Sequence, residues 1–362
     1  MKNTIKLTAP LRLESGSFLS DVEIAYTQYG EINDHRDNVV LVCHTLSGGI
    51  DVLEQKEWWF IGRNQWIDPA KYCIITFAAL GNWHGSSAPC KKSSKDDLRS
   101  DHCFPTVTVT DSVRAHLEAL KLMEIAHIKI AIGGSFGGFC VYTWLTIAPQ
   151  LIDTAIIFQS ASRCSAHTIG LFSLMRELIT KDPCWNNGKY SPDEINSMHG
   201  LQQAIGLNRL FALSHHFFEN RFPPEEKRIV LDQTTEYWES LSRIDSFINQ
   251  SATSLAGIDP NSLLCTIRAS SLFDLERTFP DVWSRWKMMR TKLIQIPCNQ
   301  DWRYPPELMQ EIQEKCRCQN IESILITSNS KYGHGSYLYD RASIEPLLPF
   351  LNKMIEVADL EA

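Results

Sequence analysis

Short runs of apolar residues, each closed by turn-forming or polar residues, recur in the first half of the chain and near its end. They span 38–43, 72–79, 128–132, 154–158, 293–297 and 323–326. Continuous runs rich in β-branched residues are typical of strands that are buried on both faces of a parallel sheet. Residues 4–29 instead alternate in a way that predicts two antiparallel strands around Gly16.

Helical patterns lie between several of these predicted strands. One begins at Thr110-Asp111, which we interpret as its N-cap, and a second covers 137–148. A third opens with Pro305-Pro306, since proline suits the first turn of a helix. Strands that alternate with helices predict an α/β fold with a mostly parallel sheet.

The stretch 162–290 interrupts this alternation. It has helix-like segments, four tryptophans and many phenylalanines, but no pattern of a buried strand. Because the strand pattern returns at 293, we expect one α/β core made of 1–161 and 291–362, with 162–290 inserted as a helical lid. The alternative is that 162–290 forms a second, independent domain.

Composition and net charge limit the kinds of molecule that the protein is expected to bind. The chain has 362 residues, 44% of them hydrophobic and 21% charged, which are ordinary values for a globular protein. Its 35 Lys and Arg against 42 Asp and Glu give a net charge of −7. An acidic chain has no overall attraction for nucleic acid or for anionic lipid, so we predict neither a nucleic-acid nor a membrane partner.

Cysteine usage and the hydropathy of the chain favour a reducing compartment. The 11 cysteines are scattered and form no C-x-x-C, which argues against zinc-ribbon and thioredoxin-type sites. Cys43, Cys73 and Cys298 lie in or beside apolar runs and are predicted to be small buried side chains. The N-terminal segment has no signal-peptide pattern and no run of 18 apolar residues occurs, so we expect a cytoplasmic protein.

The sharpest chemical signal is a G-x-S-x-G motif formed by Gly133, Ser135 and Gly137. It follows the apolar run 128–132 and precedes the predicted helix 137–148. A strand–turn–helix of this kind exposes a nucleophilic serine and aims helix N–H groups at a developing oxyanion. The alternative is an ordinary glycine-rich turn between a strand and a helix.

A serine hydroxyl needs a base, and in this arrangement the chain order is serine, acid, histidine. Ten of the 11 histidines lie at or before residue 216, which leaves His334 as the candidate base. Asp301 directly follows the strand predicted at 293–297 and is the preferred acid. It could instead be a helix N-cap, and its rivals as the acid are Asp274 and Asp281.

Two backbone N–H groups are candidates for an oxyanion hole. One belongs to Phe136, the residue after the predicted nucleophile. The second is expected in the glycine-rich loop that follows the strand at 38–43, and we assign it to Leu46.

Several of these residues together resemble the homoserine O-acetyltransferase family of the α/β-hydrolase fold. The matching segments are 44–48, 85–89, 104–111, 133–138, 162–166, Asp301 with Pro305, and Gly333-His334. The resemblance implies acyl transfer from acetyl-CoA or another acyl-CoA, through an acyl-serine, to an alcohol acceptor. It also implies a homodimer built on the lid, with no metal and no bound cofactor, and it places Arg163 in the substrate site.

Two departures from the family fall on the acceptor site. The family has Asp after the catalytic His, where it binds the amino group of homoserine, and this chain has Gly335. The family motif Gly-Leu-x-x-Ala-Arg ends in an Arg for the acceptor carboxylate, and this chain has Ile205. Each charge-assisted contact is worth roughly 1.5–3 kcal/mol, so we expect an alcohol acceptor other than homoserine. A serine hydrolase, either an esterase or a thioesterase, is the alternative, and a non-catalytic binding protein is a further one.

Overall fold

The computed structural model describes residues 2–89, 104–223, 243–253 and 257–361. The strands are β1 Lys2–Lys6, β2 Leu11–Arg12, β3 Phe18–Leu19, β4 Glu23–Tyr29, β5 Val39–Cys43, β6 Cys73–Phe77, β7 Ile128–Gly134, β8 Ile152–Phe158, β9 Lys292–Ile296 and β10 Ser323–Leu325. The helices are α1 Val109–Leu122, α2 Phe136–Ile147, α3 Ala166–Thr180, α4 His199–Leu210, α5 His215–Arg221, α6 Arg243–Thr253, α7 Pro260–Ser271, α8 Leu275–Thr278, α9 Val282–Lys287, α10 Pro306–Cys318, α11 Ser336–Tyr339, α12 Arg341–Ile344 and α13 Leu348–Glu361.

One sheet of eight strands carries the fold, in the order β1-β4-β6-β5-β7-β8-β9-β10. Strand β4 pairs antiparallel with β1 and β6, whereas every pairing from β6 to β10 is parallel. All six apolar runs of the sequence form strands of this sheet, and β5, β6 and β9 are buried along their whole length. Helices cover both faces, so the prediction of an α/β-hydrolase fold with a mostly parallel sheet is confirmed.

The prediction for residues 4–29 was wrong in its pairing. Gly16, with φ +87°, turns a hairpin of only two residues on each side, β2 and β3. Leu11 of this hairpin is buried in the core and Phe18 is exposed, and its two-residue strands pair only with each other. The longer strand β4 instead pairs with β1, in the register Lys2 to Thr27.

Helix α1 begins two residues earlier than predicted. Thr108 is the N-cap, and its Oγ1 accepts a hydrogen bond from the N–H of Asp111 at 3.2 Å. The Asp111 carboxylate accepts from the N–H of Thr108 at 3.0 Å, which completes a capping box. The polar pair at 110–111 therefore lies in the first turn of the helix, and Thr108 rather than Thr110 caps it.

Helices α3 to α9 all lie between β8 and β9, which are neighbours in the sheet. The chain thus leaves the sheet after β8, forms helices, and returns to the adjacent strand. In the described part of 162–290, only isolated β-bridges occur, such as the one between Leu213 and Gly333. The segment predicted as a lid therefore reaches back to the loop that carries His334.

The described cysteines are all free thiols, and Cys43, Cys73 and Cys298 are buried as predicted. Among the described residues, no helix is both long enough and apolar enough to span a membrane.

Candidate active site

Ser135 lies in a sharp turn between β7 and α2. Its backbone has φ 56° and ψ −121°, a conformation that L-residues rarely adopt and that commonly marks a functional turn. The turn is held from both sides, because the Ser135 N–H donates to the Phe158 carbonyl at 3.1 Å and the Ser160 hydroxyl donates to the Ser135 carbonyl at 2.8 Å. These two hydrogen bonds, to the last residue of β8 and from a residue just after it, therefore stabilise the strained backbone.

Gly137, which follows the turn, is required because α2 and β5 approach each other closely at this position. A Cβ at Gly137 would lie 2.2 Å from the Cys43 carbonyl oxygen, a distance that real Cβ atoms do not reach. Only glycine lets the first turn of α2 pack against the end of β5. The G-x-S-x-G motif thus has a structural reason as well as a chemical one.

Three of the predicted site residues form one hydrogen-bonded chain. The distance from Ser135 Oγ to His334 Nε2 is 2.9 Å, and that from His334 Nδ1 to Asp301 Oδ2 is 2.8 Å. All three side chains are buried. This is the geometry of a serine nucleophile, a base, and an acid that orients the base.

Asp301 is fixed by the backbone that follows it. Its Oδ1 accepts hydrogen bonds from the N–H groups of Arg303 and Tyr304, both at 2.9 Å, which leaves Oδ2 for His334. The next helix begins at Pro306 with Pro305 as its N-cap, so the alternative role of Asp301 as a helix cap does not apply.

The two rival carboxylates are engaged elsewhere. Asp274 caps α8 by accepting from the Arg277 N–H at 3.0 Å. Asp281 binds the Arg285 guanidinium at 2.9 Å and is largely exposed. Of the three aspartates considered, the structure brings Asp301 to the histidine.

The loop of His334 is anchored by the inserted helical segment and by the end of β8. The His334 N–H donates to the Ala212 carbonyl at 2.7 Å, and the Ser214 N–H donates to the Tyr332 carbonyl at 2.8 Å. On the other side, Gln159 accepts from the Gly335 N–H at 2.6 Å. The imidazole is therefore held by backbone contacts from residues far away in sequence.

The two predicted oxyanion donors flank Ser135. Phe136 is the first residue of α2, so its N–H has no partner within the helix. Leu46 follows β5 and lines the same cavity as Ser135. Within the described residues, neither amide has a hydrogen-bond acceptor, so both are free to bind an oxyanion.

His44 holds the loop that contains Leu46. Its Nε2 accepts a hydrogen bond from the Ala79 N–H at 3.1 Å, so the proton is on Nδ1, which donates to the Thr45 carbonyl at 2.7 Å. Burial lowers the pKa of His44, which keeps the ring neutral. Its two bonds are therefore structural.

Ser135 opens into a cavity of about 130 Å³. Of the predicted site residues, Leu46, Ile205, His334 and Gly335 also line this cavity. A volume of this size suits a short acyl group and a small acceptor. A larger cavity of about 490 Å³ lies between α3 and α7, and none of the triad residues lines it.

Arg163, predicted to bind substrate, is not among the residues that line this cavity. Its guanidinium pairs with Glu311 of α10 at 3.0 Å, and both side chains are nearly half exposed. Its backbone forms a β-bridge with Asp274. The sequence match at 162–166 located the segment but not the direction of this side chain.

Two arginines that the sequence analysis did not single out line the cavity instead. Arg209 lies one helical turn after Ile205 on α4, and Arg303 lies two residues after Asp301. Arg209 could have been found from the sequence, because it lies four residues after Ile205 and residues four apart share a helix face. In the described part of the chain, no cluster of three or more His, Cys, Asp or Glu side chains is arranged to hold a metal ion.

Comparisons with known proteins bear on the family and the fold, and no family model matches the chain. A homoserine O-acetyltransferase of Nautilia profundicola is 30% identical over 351 residues, covering 92% of this chain and 94% of that protein. The crystal structure of a homoserine O-acetyltransferase from Bacillus anthracis has a TM-score of 0.86 at 24% identity, over 99% of this chain and 97% of that one. The crystal structure of esterase E22 also has a TM-score of 0.86, at 22% identity, over 98% of this chain and 99% of that one. The chain belongs to the homoserine O-acetyltransferase family, and its fold is shared by transferases and esterases.

Proposed function

We propose that the protein is an acyl-CoA-dependent O-acyltransferase that works through an acyl-serine. The observation that carries this proposal is the hydrogen-bonded chain from Asp301 through His334 to Ser135, which opens into a small cavity. The family relationship supports transfer of an acetyl group, because the relative just described is named as an acetyltransferase.

The first half-reaction acylates the serine. Ser135 Oγ attacks the thioester carbonyl while His334 Nε2 takes its proton, and Asp301 stabilises the resulting imidazolium. The N–H groups of Leu46 and Phe136 bind the negative oxygen of the tetrahedral intermediate. The C–S bond then breaks, and the thiol of CoA leaves with the proton from His334.

The second half-reaction transfers the acyl group. The hydroxyl of the acceptor gives its proton to His334 and attacks the acyl-serine carbonyl. The same two amides bind the oxyanion, and Ser135 recovers its proton from His334 as the ester product leaves. Because Ile205 and Gly335 stand where the family has its Arg and Asp, we assign an acceptor other than homoserine.

A labelling experiment tests this proposal. The protein is mixed with radiolabelled acetyl-CoA and quenched in acid, and the labelled peptide is identified by mass spectrometry. We expect label on Ser135, none in Ser135→Ala, and acylation slowed by about 10³- to 10⁴-fold in Asp301→Asn. Resistance of the label to neutral hydroxylamine distinguishes a serine ester from a cysteine thioester, and Ser173→Ala, a lid serine outside the cavity, is the control. Absence of an acyl-enzyme with acetyl-, propionyl- and succinyl-CoA alike would overturn the proposal.

A serine hydrolase is the second candidate, favoured by the equally high similarity to esterase E22. The same triad would then use water as the acceptor, and the difference lies in how well the site excludes water. The measurement is the partition of the acyl group between water and added alcohols during turnover of p-nitrophenyl acetate. Ester products that rise with alcohol concentration support transfer, whereas acetate as the sole product at every alcohol concentration supports hydrolysis.

A further inference from the structure

Two guanidinium groups line the catalytic cavity without a carboxylate partner. Arg303 is only 5% exposed, and its Nη2 donates to the carbonyl oxygen of Asn208 at 2.7 Å and to the Asn208 side chain at 3.0 Å. Arg209 is half-buried and lies over the Phe247 ring, 5.0 Å from its centroid. In the described structure neither arginine forms an ion pair, and the Nε of each is buried without a hydrogen-bond partner.

The rest of the cavity lining does not neutralise these charges. None of the described residues that line it is Asp or Glu, whereas Tyr332, Tyr337 and Tyr339 add phenol groups. Burial lowers the pKa of Arg303, because it removes water from around the charge, and the nearby Asp301 only partly offsets this effect. With two guanidinium groups and no carboxylate among its described lining residues, the cavity is complementary to an anion.

The position of Arg209 indicates which part of the substrate it meets. It follows Ile205 by four residues, so both side chains line the cavity from the same face of α4. The family motif has its arginine at the position of Ile205. This chain instead has a cation one turn later, on the same face of the helix. Gly335, in contrast, offers no anion to an ammonium group, and no other acidic side chain lines the cavity in the part of the chain described.

We propose that Arg209 and Arg303 bind the carboxylate of a hydroxy-acid acceptor that has no ammonium group. This inference rests on the acyltransferase function proposed above for Ser135. Two guanidinium groups offer several N–H donors to one carboxylate, which fixes the acid end of the acceptor. The hydroxyl end is then directed to the acyl-serine. The alternative source of a carboxylate is the acyl group itself, as in a dicarboxylic acyl-CoA.

A binding experiment separates the anion site from the chemistry. Isothermal titration uses Ser135→Ala, which cannot be acylated, with 3-hydroxypropanoate, 4-hydroxybutanoate and the amide of the latter. We expect a carboxylate of this panel to bind and the amide to bind at least about 10-fold more weakly. Adding Arg209→Met should weaken carboxylate binding by about 10- to 100-fold, and Arg209→Lys should weaken it less.

A matched control is available in the lid. Arg221 lies over the Phe222 ring at 5.8 Å but outside the cavity, so Arg221→Met removes a similar cation without touching the site. Equal effects of Arg209→Met and Arg221→Met, or equal binding of acid and amide, would overturn the anion site whether or not the protein transfers acyl groups.

Acylation kinetics distinguish the acceptor from the acyl donor. With the acyltransferase function correct, Arg209→Met should slow deacylation of the acetyl-enzyme by hydroxy acids about 10- to 100-fold more than it slows formation of that acetyl-enzyme. If Arg209→Met instead slows acylation by succinyl-CoA but not by acetyl-CoA, the carboxylate belongs to the acyl group and the assignment to the acceptor is wrong. Absence of any acyl-enzyme refutes the proposed function and leaves the titration as the test of the anion site.

Discussion

The residue after His334 decides whether an ammonium group has a partner in this cavity. Gly335 has φ +82°, so its backbone is left-handed. A Cβ placed there would lie 3.5 Å from Tyr339 Cε2, which is ordinary contact. Aspartate tolerates this conformation better than most residues, at a cost of roughly 1–2 kcal/mol. Position 335 can therefore accommodate an aspartate side chain without displacing its neighbours.

Gly335→Asp is predicted to move acceptor preference towards homoserine. The new carboxylate supplies the ammonium partner, while Arg209 and Arg303 keep the carboxylate end. We expect kcat/KM for L-homoserine, divided by kcat/KM for 4-hydroxybutanoate, to rise by about 10-fold or more. This is the size of effect expected from one charge-assisted contact. The ratio is measured from the rate of CoA release.

Gly335→Asn is the matched control for that prediction, because it has the same shape and tolerates the same backbone but carries no charge. A rise of the same size in Gly335→Asn would show that shape rather than charge sets the preference.

At the scale of elements, α1 is joined to the sheet by a buried neutral histidine. The Nε2–H of His116 donates to the Ala78 carbonyl at 3.1 Å, and its ring stacks on Phe77 of β6. Burial lowers the pKa of His116 from its ordinary value of 6.5 to about 3. The ring is neutral in the folded protein and protonated in the unfolded chain at mildly acid pH. The unfolded state then binds more protons, so stability falls as the pH drops below 6.5.

His116→Gln is predicted to reduce the loss of stability in acid. Glutamine keeps a donor for the Ala78 carbonyl but does not titrate. Between pH 7.5 and 5.5 the free energy of unfolding should fall by about 1.4 kcal/mol less in the variant than in the wild type. Urea unfolding at the two pH values measures this difference. His199→Gln, at an exposed position on α4, is the control, and an equal effect of both variants would refute the assignment.

At the scale of the whole molecule, the inserted helical segment contacts both the loop of His334 and the loop of Asp301. The Trp302 indole N–H donates to the Leu213 carbonyl at 3.1 Å, beside the His334 to Ala212 bond. Arg303 reaches Asn208 of α4 on the other side. Base and acid geometry therefore depend on how the segment 199–214 sits against the core.

Trp302→Phe is predicted to loosen this attachment. It removes the hydrogen bond to Leu213 but keeps an aromatic ring against Phe211, with which Trp302 stacks at 4.9 Å. We expect faster amide hydrogen exchange in 211–214 and a kcat lowered by about 3- to 10-fold, because the imidazole is less well positioned.

Trp185→Phe serves as the matched control, since the Trp185 indole binds Asn261 within the inserted segment, away from the triad. Unchanged exchange in 211–214 for Trp302→Phe, or an equal change for Trp185→Phe, would contradict the coupling.

Much of the fold and the core of the site followed from local sequence signals. The six apolar runs form strands because residues buried on both faces must be apolar at every position, which leaves a continuous pattern. The position of Ser135 was predictable because its turn needs small residues at fixed spacing. His334 and Asp301 were accessible through chain order and the strands that precede them.

The sequence alone therefore determined local structure and residue identity. These include the strands, the turn of Ser135, and the absence of Asp at 335 and of Arg at 205. Only the tertiary structure decided which side chains meet in the cavity. Arg163 pairs with Glu311, whereas Arg209 and Arg303 line the cavity into which Ser135 opens. The reason is physical, because the direction of a side chain depends on how elements distant in sequence pack, and no local pattern records that packing.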